Sequence, residues 1–423
     1  MLISKYKSRF VNISRYFTAS LFPLVLNLLI NPWISKNMSP ADFATVGYYK
    51  SFTTLIQPFI WFYVLHYYTK SYYELNEESR KILRGNIFKF LIYGSLVLSV
   101  ISLIGIIIYS VYFNKGSEIP LNPYVYISTF TIPLTGIYQL SLIDYRMGRK
   151  SGSYLVLSAT HAILVFITLL IMVVFAKMGA FGHLTSLLLT NAILFVYCAY
   201  QSRDLFKVDI DWELVKKIIV FCFPLTLAAM LSFFSGGYEK VYLERLGDIK
   251  ELGFYVVGAT MAGYIQVFSS AIGSTFQPDI YKALAERNKK NYIKYGIVVI
   301  GFTSIITIFV ILLAPIIIDI LTAGRYVYSA KYLRIIALSA VTSSIYYMIS
   351  QFTIALGLTK IPLYNKVIGS ILCIGMYKFM IDTWGFNGAA YGVAMSFVIF
   401  ALGNLILLYA HKKQFLKVWR KEV

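Results

Sequence analysis

Residues 46–49 read Val46-Gly47-Tyr48-Tyr49, and 206 positions later the chain reads Leu252-Gly253-Phe254-Tyr255. The same shift links Gly179-Ala180-Phe181-Gly182 to Gly385-Phe386-Asn387-Gly388. A third echo, Phe22-Pro23-Leu24 with Phe223-Pro224-Leu225, is shifted by 201. These patterns sit inside a succession of apolar segments, each long enough to cross a bilayer. The chain therefore reads as two equivalent halves in lipid, an organisation suited to rocking one half against the other.

The composition agrees. Hydrophobic residues make up 58% of the 423 residues and charged residues only 14%, against roughly a quarter charged in a soluble domain. Apolar stretches of about 20 residues bounded by charges read as transmembrane helices. Alternating strands of the kind that build a membrane barrel are absent from the pattern. The predicted spans of the first half are Ile13 to Ile34, Phe43 to Tyr67, Ile87 to Phe113, Tyr124 to Tyr145, Tyr154 to Ala176 and Phe181 to Tyr200. Those of the second are Val215 to Gly236, Leu252 to Phe276, Tyr295 to Ile320, Tyr332 to Leu356, Ile361 to Ile381 and Gly388 to Tyr409. Two links, Lys177 to Ala180 and Gly357 to Lys360, are short for such turns.

The expected fold is all-α and polytopic: twelve transmembrane helices in two parallel six-helix lobes around a central cavity. The polar stretch Gln201 to Glu213 is the natural connector, which gives an N-terminal lobe of residues 1–205 and a C-terminal lobe of 206–423. Six spans per lobe is an even number, so both lobes enter from one side and are parallel repeats. No other polar stretch is long enough to bury a core of its own.

The net charge of +20 is not a nucleic-acid signal. Most of the 39 Lys and Arg fall in the N-tail, the even-to-odd loops and the C-tail (Lys412, Lys413, Lys417, Arg420 and Lys421). That is the positive-inside pattern, and it places both termini in the cytoplasm. Basic loops touching anionic lipid account for most of these charges. The basic N-tail resembles the start of a signal peptide, but Asn27, Asn31 and Pro32 interrupt the apolar run, so an uncleaved first helix is expected. Tyrosine pairs such as Tyr67-Tyr68, Tyr72-Tyr73 and Tyr346-Tyr347 suit the aromatic belt at the interface.

No phosphate-binding lysine loop, dinucleotide fingerprint, serine nucleophile elbow or helical zinc pair is present. Cys198, Cys222 and Cys373 have no metal-ligand spacing, and the histidines (His66, His161, His183, His411) are scattered. The chain is expected to be a transporter rather than an enzyme, with no cofactor and no metal, driven by gradients of ions or substrate.

Polar groups inside lipid are then the functional candidates. Lys50 lies about two turns inside the second helix. Its ammonium can snorkel toward the interface or face a cavity and meet an anionic headgroup. Its repeat-related position is Val256, so such a site is asymmetric. Glu239 and Lys240 follow Gly236-Gly237 near the far end of the seventh helix; they can pair locally, or Glu239 can couple transport to an ion. Arg334 and Lys378 are further cavity candidates, each weighed against snorkelling. Lys366, near the cytoplasmic face, reads as an anchor or as a residue that steers substrate inward. His161 is expected in an interhelical hydrogen bond. Asn27, Asn31, Gln57, Gln139, Gln266 and Gln351 can glue helices or bind sugar hydroxyls. Pro23, Pro58, Pro133, Pro224 and Pro315 suggest kinks that can act as hinges. Ser39-Pro40-Ala41-Asp42 carries a capping box and a proline at the first helical position.

On these motifs the chain resembles the polysaccharide and O-antigen repeat-unit flippases of the multidrug/oligosaccharidyl-lipid/polysaccharide exporter superfamily. Met38-Ser39-Pro40-Ala41-Asp42-Phe43 is similar to that family's opening of the second helix, with Ala44 where glycine is usual. Glu239-Lys240 resembles an acidic–basic pair late in the seventh helix. Gly253-Phe254-Tyr255 and Pro278 match features of the eighth, and Gly385-Phe386-Asn387-Gly388-Ala389 the start of the twelfth.

The resemblance implies an undecaprenyl-diphosphate-linked oligosaccharide as substrate, such as an O-antigen or capsule repeat unit. It is passed by alternating access from the cytoplasmic to the periplasmic leaflet through a cationic cavity. It also implies the bacterial inner membrane, headgroup contacts from Lys50 and Lys240, bilayer lipids and a polysaccharide polymerase or ligase as partners, and a monomer; Arg334 and Lys378 are added to the headgroup site as the further cavity candidates, and no nucleic acid is expected. A cation-coupled multidrug antiporter of the same superfamily would want a buried carboxylate; the first six helices offer Asp144, at a cytoplasmic end. A non-transporting membrane scaffold would need neither Lys50 within its helix nor the repeat.

Overall fold

A computed structural model describes residues 2–114, 116–286, 288–355 and 360–410. The C-tail lysines and arginine, His411, Arg287 and residues 357–359 of the second short link lie outside it, as do the side chains of Lys5, Lys7, Arg9, Pro278 and Lys360. The described chain is all helix, with no strand. In order the helices are α1 (Leu2–Asn37), α2 (Pro40–Trp61), α3 (Val64–Ser71), α4 (Glu77–Lys89), α5 (Ser95–Ile108), α6 (Tyr124–Met147), α7 (Ser151–Leu169) and α8 (Gly179–Gln201). They continue with α9 (Trp212–Met230), α10 (Phe233–Gly236), α11 (Tyr238–Glu244), α12 (Ile249–Ala285), α13 (Lys289–Thr322), α14 (Ala330–Ala355) and α15 (Lys360–Ala410). The described parts of the twelve predicted segments are mostly helical, and Leu356, the last residue of the tenth, lies outside the described residues.

Among the described residues, eight helices are long and apolar enough to cross a membrane. One of them, α15, carries both the eleventh and the twelfth predicted segments, bending at Gly385 (φ 55°). The predicted segments in α1, α2 and α6 are not among those eight.

The side-chain pattern is inverted relative to a soluble protein. On α13, Phe302, Ile305, Ile308, Phe309, Leu312, Ile316 and Ile320 are exposed, while Gly296, Thr303, Thr307, Ala314 and Thr322 are buried. On α5, Ser95, Ser99 and Ser102 are buried, whereas Val97, Val100, Ile101 and Ile104 are exposed. Small residues inside let backbones approach, and apolar side chains outside face hydrocarbon, as helix packing in lipid requires. The serine hydroxyls turn back onto their own helix: Ser99 donates to Ser95 O at 2.7 Å and Ser102 to Leu98 O at 2.8 Å. These hydroxyls are thus satisfied within their own helix, without water.

Two compact units emerge, Met1–Met230 and Leu231–Val423. The first includes α9 because that helix packs on α2 and α3. Both units carry the repeat in their backbone. Gly179 and Gly385 both adopt positive φ, 53° and 55°, and Gly182 and Gly388 both press on a preceding carbonyl, of Met172 and Met380. Tyr49 and Tyr255, the final residues of the repeated motif, are both fully buried.

Two predicted spans are broken. Phe43 to Tyr67 is not one helix: Phe62 and Tyr63 adopt left-handed φ of 48° and 52° and separate α2 from α3. Neither residue is glycine, so each conformation is costly, about 1–3 kcal/mol, and surrounding aromatics hold it. Phe62 packs against Phe90 and Phe223, and Tyr63 stacks on His66 at 4.1 Å. The seventh span breaks after Met230 and again at Gly237, where a Cβ would lie 2.8 Å from the Phe233 ring. The link before Ala180 is short, as expected, and α8 begins at Gly179. The five prolines named from sequence all lie inside helices.

Candidate functional site

In the first unit, the capping box forms as the sequence predicts. Ser39 N–H donates to Asp42 Oδ2 at 2.8 Å and Asp42 N–H to Ser39 Oγ at 3.2 Å. This fixes the start of α2 and hence the angular position of Lys50. The buried face of α2 carries Thr45, Tyr48, Tyr49, Phe52, Ile56 and Ile60. Tyr49 OH donates to Pro120 O at 2.7 Å and locks that face down. Lys50 and Thr54 therefore project together from the exposed face, with the half-buried Gln57 one turn further along. Such a polar stripe would be expensive against lipid and suits a water-filled space. His183 of α8 lies within electrostatic reach of Lys50.

Asp144, the carboxylate an antiporter would need, is occupied. It takes Arg84 Nη1 at 3.2 Å on one oxygen and the Tyr68 hydroxyl at 2.5 Å on the other. Tyr68 is fully buried by this bond rather than placed in an interfacial belt. His161 of α7 stacks on Tyr138 of α6 at 4.8 Å.

In the second unit, Gly237 restarts the chain so that Glu239 points inward. Glu239 is 1% exposed and Lys240 16%, and Glu239 Oε1 meets Lys240 Nζ at 2.5 Å. The local pairing read from sequence is present, but it leaves Glu239 Oε2 buried without a hydrogen-bond partner. Tyr255 of α12 and Tyr377 of α15, both fully buried, lie close enough to Glu239 to feel its charge. The Tyr255 hydroxyl is also buried without a partner. Tyr255 packs edge-on against Tyr332 at 5.3 Å. Tyr332 in turn donates to Glu251, which pairs with Lys331 Nζ at 2.7 Å. Glu251 thus takes both partners on Oε1, while Glu239 keeps a buried open oxygen beside a phenol. That arrangement can accept a proton or a small cation, and its occupation would loosen Lys240.

Arg334 and Lys378 do not join this cluster through any ion pair among the described residues. Arg334 is exposed and donates from Nε to Ile311 O at 3.3 Å, across to α13. Lys378 is exposed on α15, on a face shared with Ile371 and Ile374, a geometry that fits snorkelling. Lys50 belongs to the first unit and Lys240, Arg334 and Lys378 to the second. Gln266 and Gln351 act as helix glue: Gln266 donates to Ser343 Oγ at 2.8 Å, and Gln351 accepts from Tyr281 at 2.6 Å. The tyrosines around Glu239 were not singled out from sequence. Tyr255 carried a signal, as the last residue of the repeated motif, and Tyr377 carried none.

Comparison with known proteins fits this architecture. The profile of the family described as polysaccharide biosynthesis protein matches residues 10–283. The chain belongs to that family. A second profile, MatE, matches residues 219–377. No curated protein matches the sequence significantly. Among solved structures, the inward closed conformation of the lipid II flippase MurJ has a TM-score of 0.66 at 17% identity, over 96% of this chain and 89% of that one. An inward-facing multidrug resistance MATE family transporter of the MOP superfamily has a TM-score of 0.64 at 16% identity, over 95% and 99%. A MOP superfamily transporter from Pyrococcus furiosus, whose binding pocket is described as reversed in polarity, has 0.54 at 13%, over 95% and 96%. The polysaccharide biosynthesis family member thus has the fold of the MOP superfamily, the multidrug/oligosaccharidyl-lipid/polysaccharide exporters.

Proposed function

We propose that this protein flips an undecaprenyl-diphosphate-linked oligosaccharide, an O-antigen or capsule repeat unit, from the cytoplasmic to the periplasmic leaflet of the bacterial inner membrane. Both termini lie in the cytoplasm on this reading, and two six-helix lobes alternate access to a shared cavity. The observation that carries it is the polar face of α2, on which Lys50 and Thr54 stand exposed together. A diphosphate cannot cross hydrocarbon unaided, because desolvating an isolated charge is prohibitive. A cationic wet surface replaces its hydration shell while the prenyl tail stays in the bilayer. Lys50 and Lys240 meet the diphosphate, and Arg334 extends the positive lining.

Glu239 supplies coupling. A proton or cation on its open oxygen weakens the Glu239–Lys240 pair, so Lys240 becomes available to the headgroup; loss of that ion recaptures Lys240 and releases the headgroup. A deletion strain tests the function. It should lose surface polysaccharide and accumulate the lipid-linked unit, and the wild-type gene should restore display. Normal display in the deletion strain overturns the proposal.

A cation-coupled multidrug antiporter is the second reading, favoured by the MatE match over residues 219–377. The engagement of Asp144 by Arg84 and Tyr68 weighs against it.

A further inference from the structure

Lys366 sits within the first half of α15, half-buried, and none of the ion pairs among the described residues includes it. Its ammonium instead rests on two aromatic faces, 4.4 Å from the Phe400 centroid and 5.5 Å from that of Tyr346. The platform is rigid. Phe400 is fully buried, its carbonyl accepts from Asn365 Nδ2 at 2.7 Å, and its ring fills the space beside Gly369, where a Cβ would come within 2.4 Å. Tyr346 packs on Phe400 at 5.8 Å.

The position of Lys366 on α15 matters. Lys366, Ser370, Cys373 and Tyr377 follow one another at helical spacing on one face. Ser370, Cys373 and Tyr377 are buried, and Ser370 Oγ donates to Leu231 O at 3.2 Å. Tyr377 is one of the two tyrosines within electrostatic reach of Glu239. This face therefore runs about 16 Å along the helix axis, at 1.5 Å per residue, from Lys366 to Tyr377, which lies within electrostatic reach of Glu239.

We propose that Lys366 is a specificity-determining residue for the phosphate-bearing headgroup, parked on Tyr346 and Phe400 when the protein is empty. An ammonium inside a membrane span is costly unless it is partnered. A carboxylate would partner it permanently and compete with an anionic substrate. Aromatic faces hold it more weakly than a charge-assisted hydrogen bond to phosphate does, so phosphate takes it and the rings recover it afterwards. The inference rests on the flippase reading and names a residue that selects the headgroup.

The test is binding of farnesyl diphosphate to the full-length protein in phosphatidylcholine nanodiscs, with farnesol as the phosphate-free control. Thermal unfolding is measured on the same samples. Wild type is expected to bind farnesyl diphosphate in preference to farnesol. Lys366→Gln and Lys366→Met should weaken farnesyl diphosphate at least tenfold, leave farnesol unchanged, and unfold no lower than wild type, because an unpaired charge has been removed. Lys366→Arg should bind within threefold of wild type. Vesicles of phosphatidylglycerol at equal phosphate should not displace the ligand.

Wild-type binding that survives Lys366→Gln unchanged, with a lowered unfolding temperature, makes the residue a structural anchor and overturns the assignment while sparing the flippase. Full displacement by phosphatidylglycerol assigns the lysine to bulk lipid and also overturns it. Absence of wild-type binding overturns the assignment together with the function it rests on.

Discussion

Asp42 Oδ1 accepts the backbone N–H of Ala180 at 2.8 Å. The other oxygen of the same carboxylate caps its own helix through Ser39. One side chain thus ties the start of α2, which carries Lys50, to the start of α8. Asp42→Ala removes a cap, about 1 kcal/mol, and a charge-assisted bond from a second helix, about 1.5–3 kcal/mol. A loss of about 2.5–4 kcal/mol is expected, read as a lowered unfolding temperature in detergent. Asp42→Glu, too long for both bonds at once, should fall between.

The neighbouring turn offers a pair of opposed substitutions. Gly179 has φ 53°, and a Cβ there would lie 2.4 Å from Asp42 Oδ1. Gly179→Ala should destabilise by more than 1 kcal/mol, through both the clash and the left-handed backbone. Lys177, exposed and also left-handed at φ 52°, should respond the other way. Lys177→Gly is expected to raise stability by about 0.5–1 kcal/mol. Unfolding curves of the two variants beside wild type check the signs.

The Glu239–Lys240 pair predicts strong non-additivity. Lys240→Met strands a buried carboxylate and should cost about 3 kcal/mol, whereas replacing both partners with Gln and Met should cost much less. A double-mutant cycle on unfolding measures the coupling. In transport, Glu239→Gln should lower the rate about tenfold and flatten its dependence on pH or sodium. An unaltered ion dependence would remove Glu239 from the coupling role.

Lys50 is exposed, so Lys50→Ala should leave unfolding within about 0.5 kcal/mol of wild type. Its effect should fall on function: at least a tenfold loss of glycan display in complementation, with Lys50→Arg retaining most of it.

The twelve apolar segments were legible because lipid imposes its pattern on every span at once: an apolar exterior and small or hydroxyl residues within, as on α13. The capping box at Ser39 and Asp42 and the paired turns at Gly179 and Gly385 were legible for local reasons, since the residue types themselves dictate the backbone. The break at Phe62-Tyr63 was not, because no glycine marks it; Phe90, Phe223 and His66, distant or non-adjacent in sequence, hold it in place. The adjacency of Glu239 and Lys240 showed their pairing, but the open oxygen beside Tyr255 and Tyr377 depends on three helices meeting. Lys366 read as an anchor because a cation resting on rings leaves no mark in the charge pattern; only the fold brings Tyr346 and Phe400 beneath it.

The most direct test of the account is reconstitution. Purified protein in liposomes carrying an undecaprenyl-diphosphate-linked oligosaccharide on one leaflet should expose that glycan to a membrane-impermeant glycosidase on the other side, far faster than protein-free liposomes and at a tenth or less of the rate with Lys50→Ala. Glycan that stays inaccessible with active, correctly folded protein would contradict it.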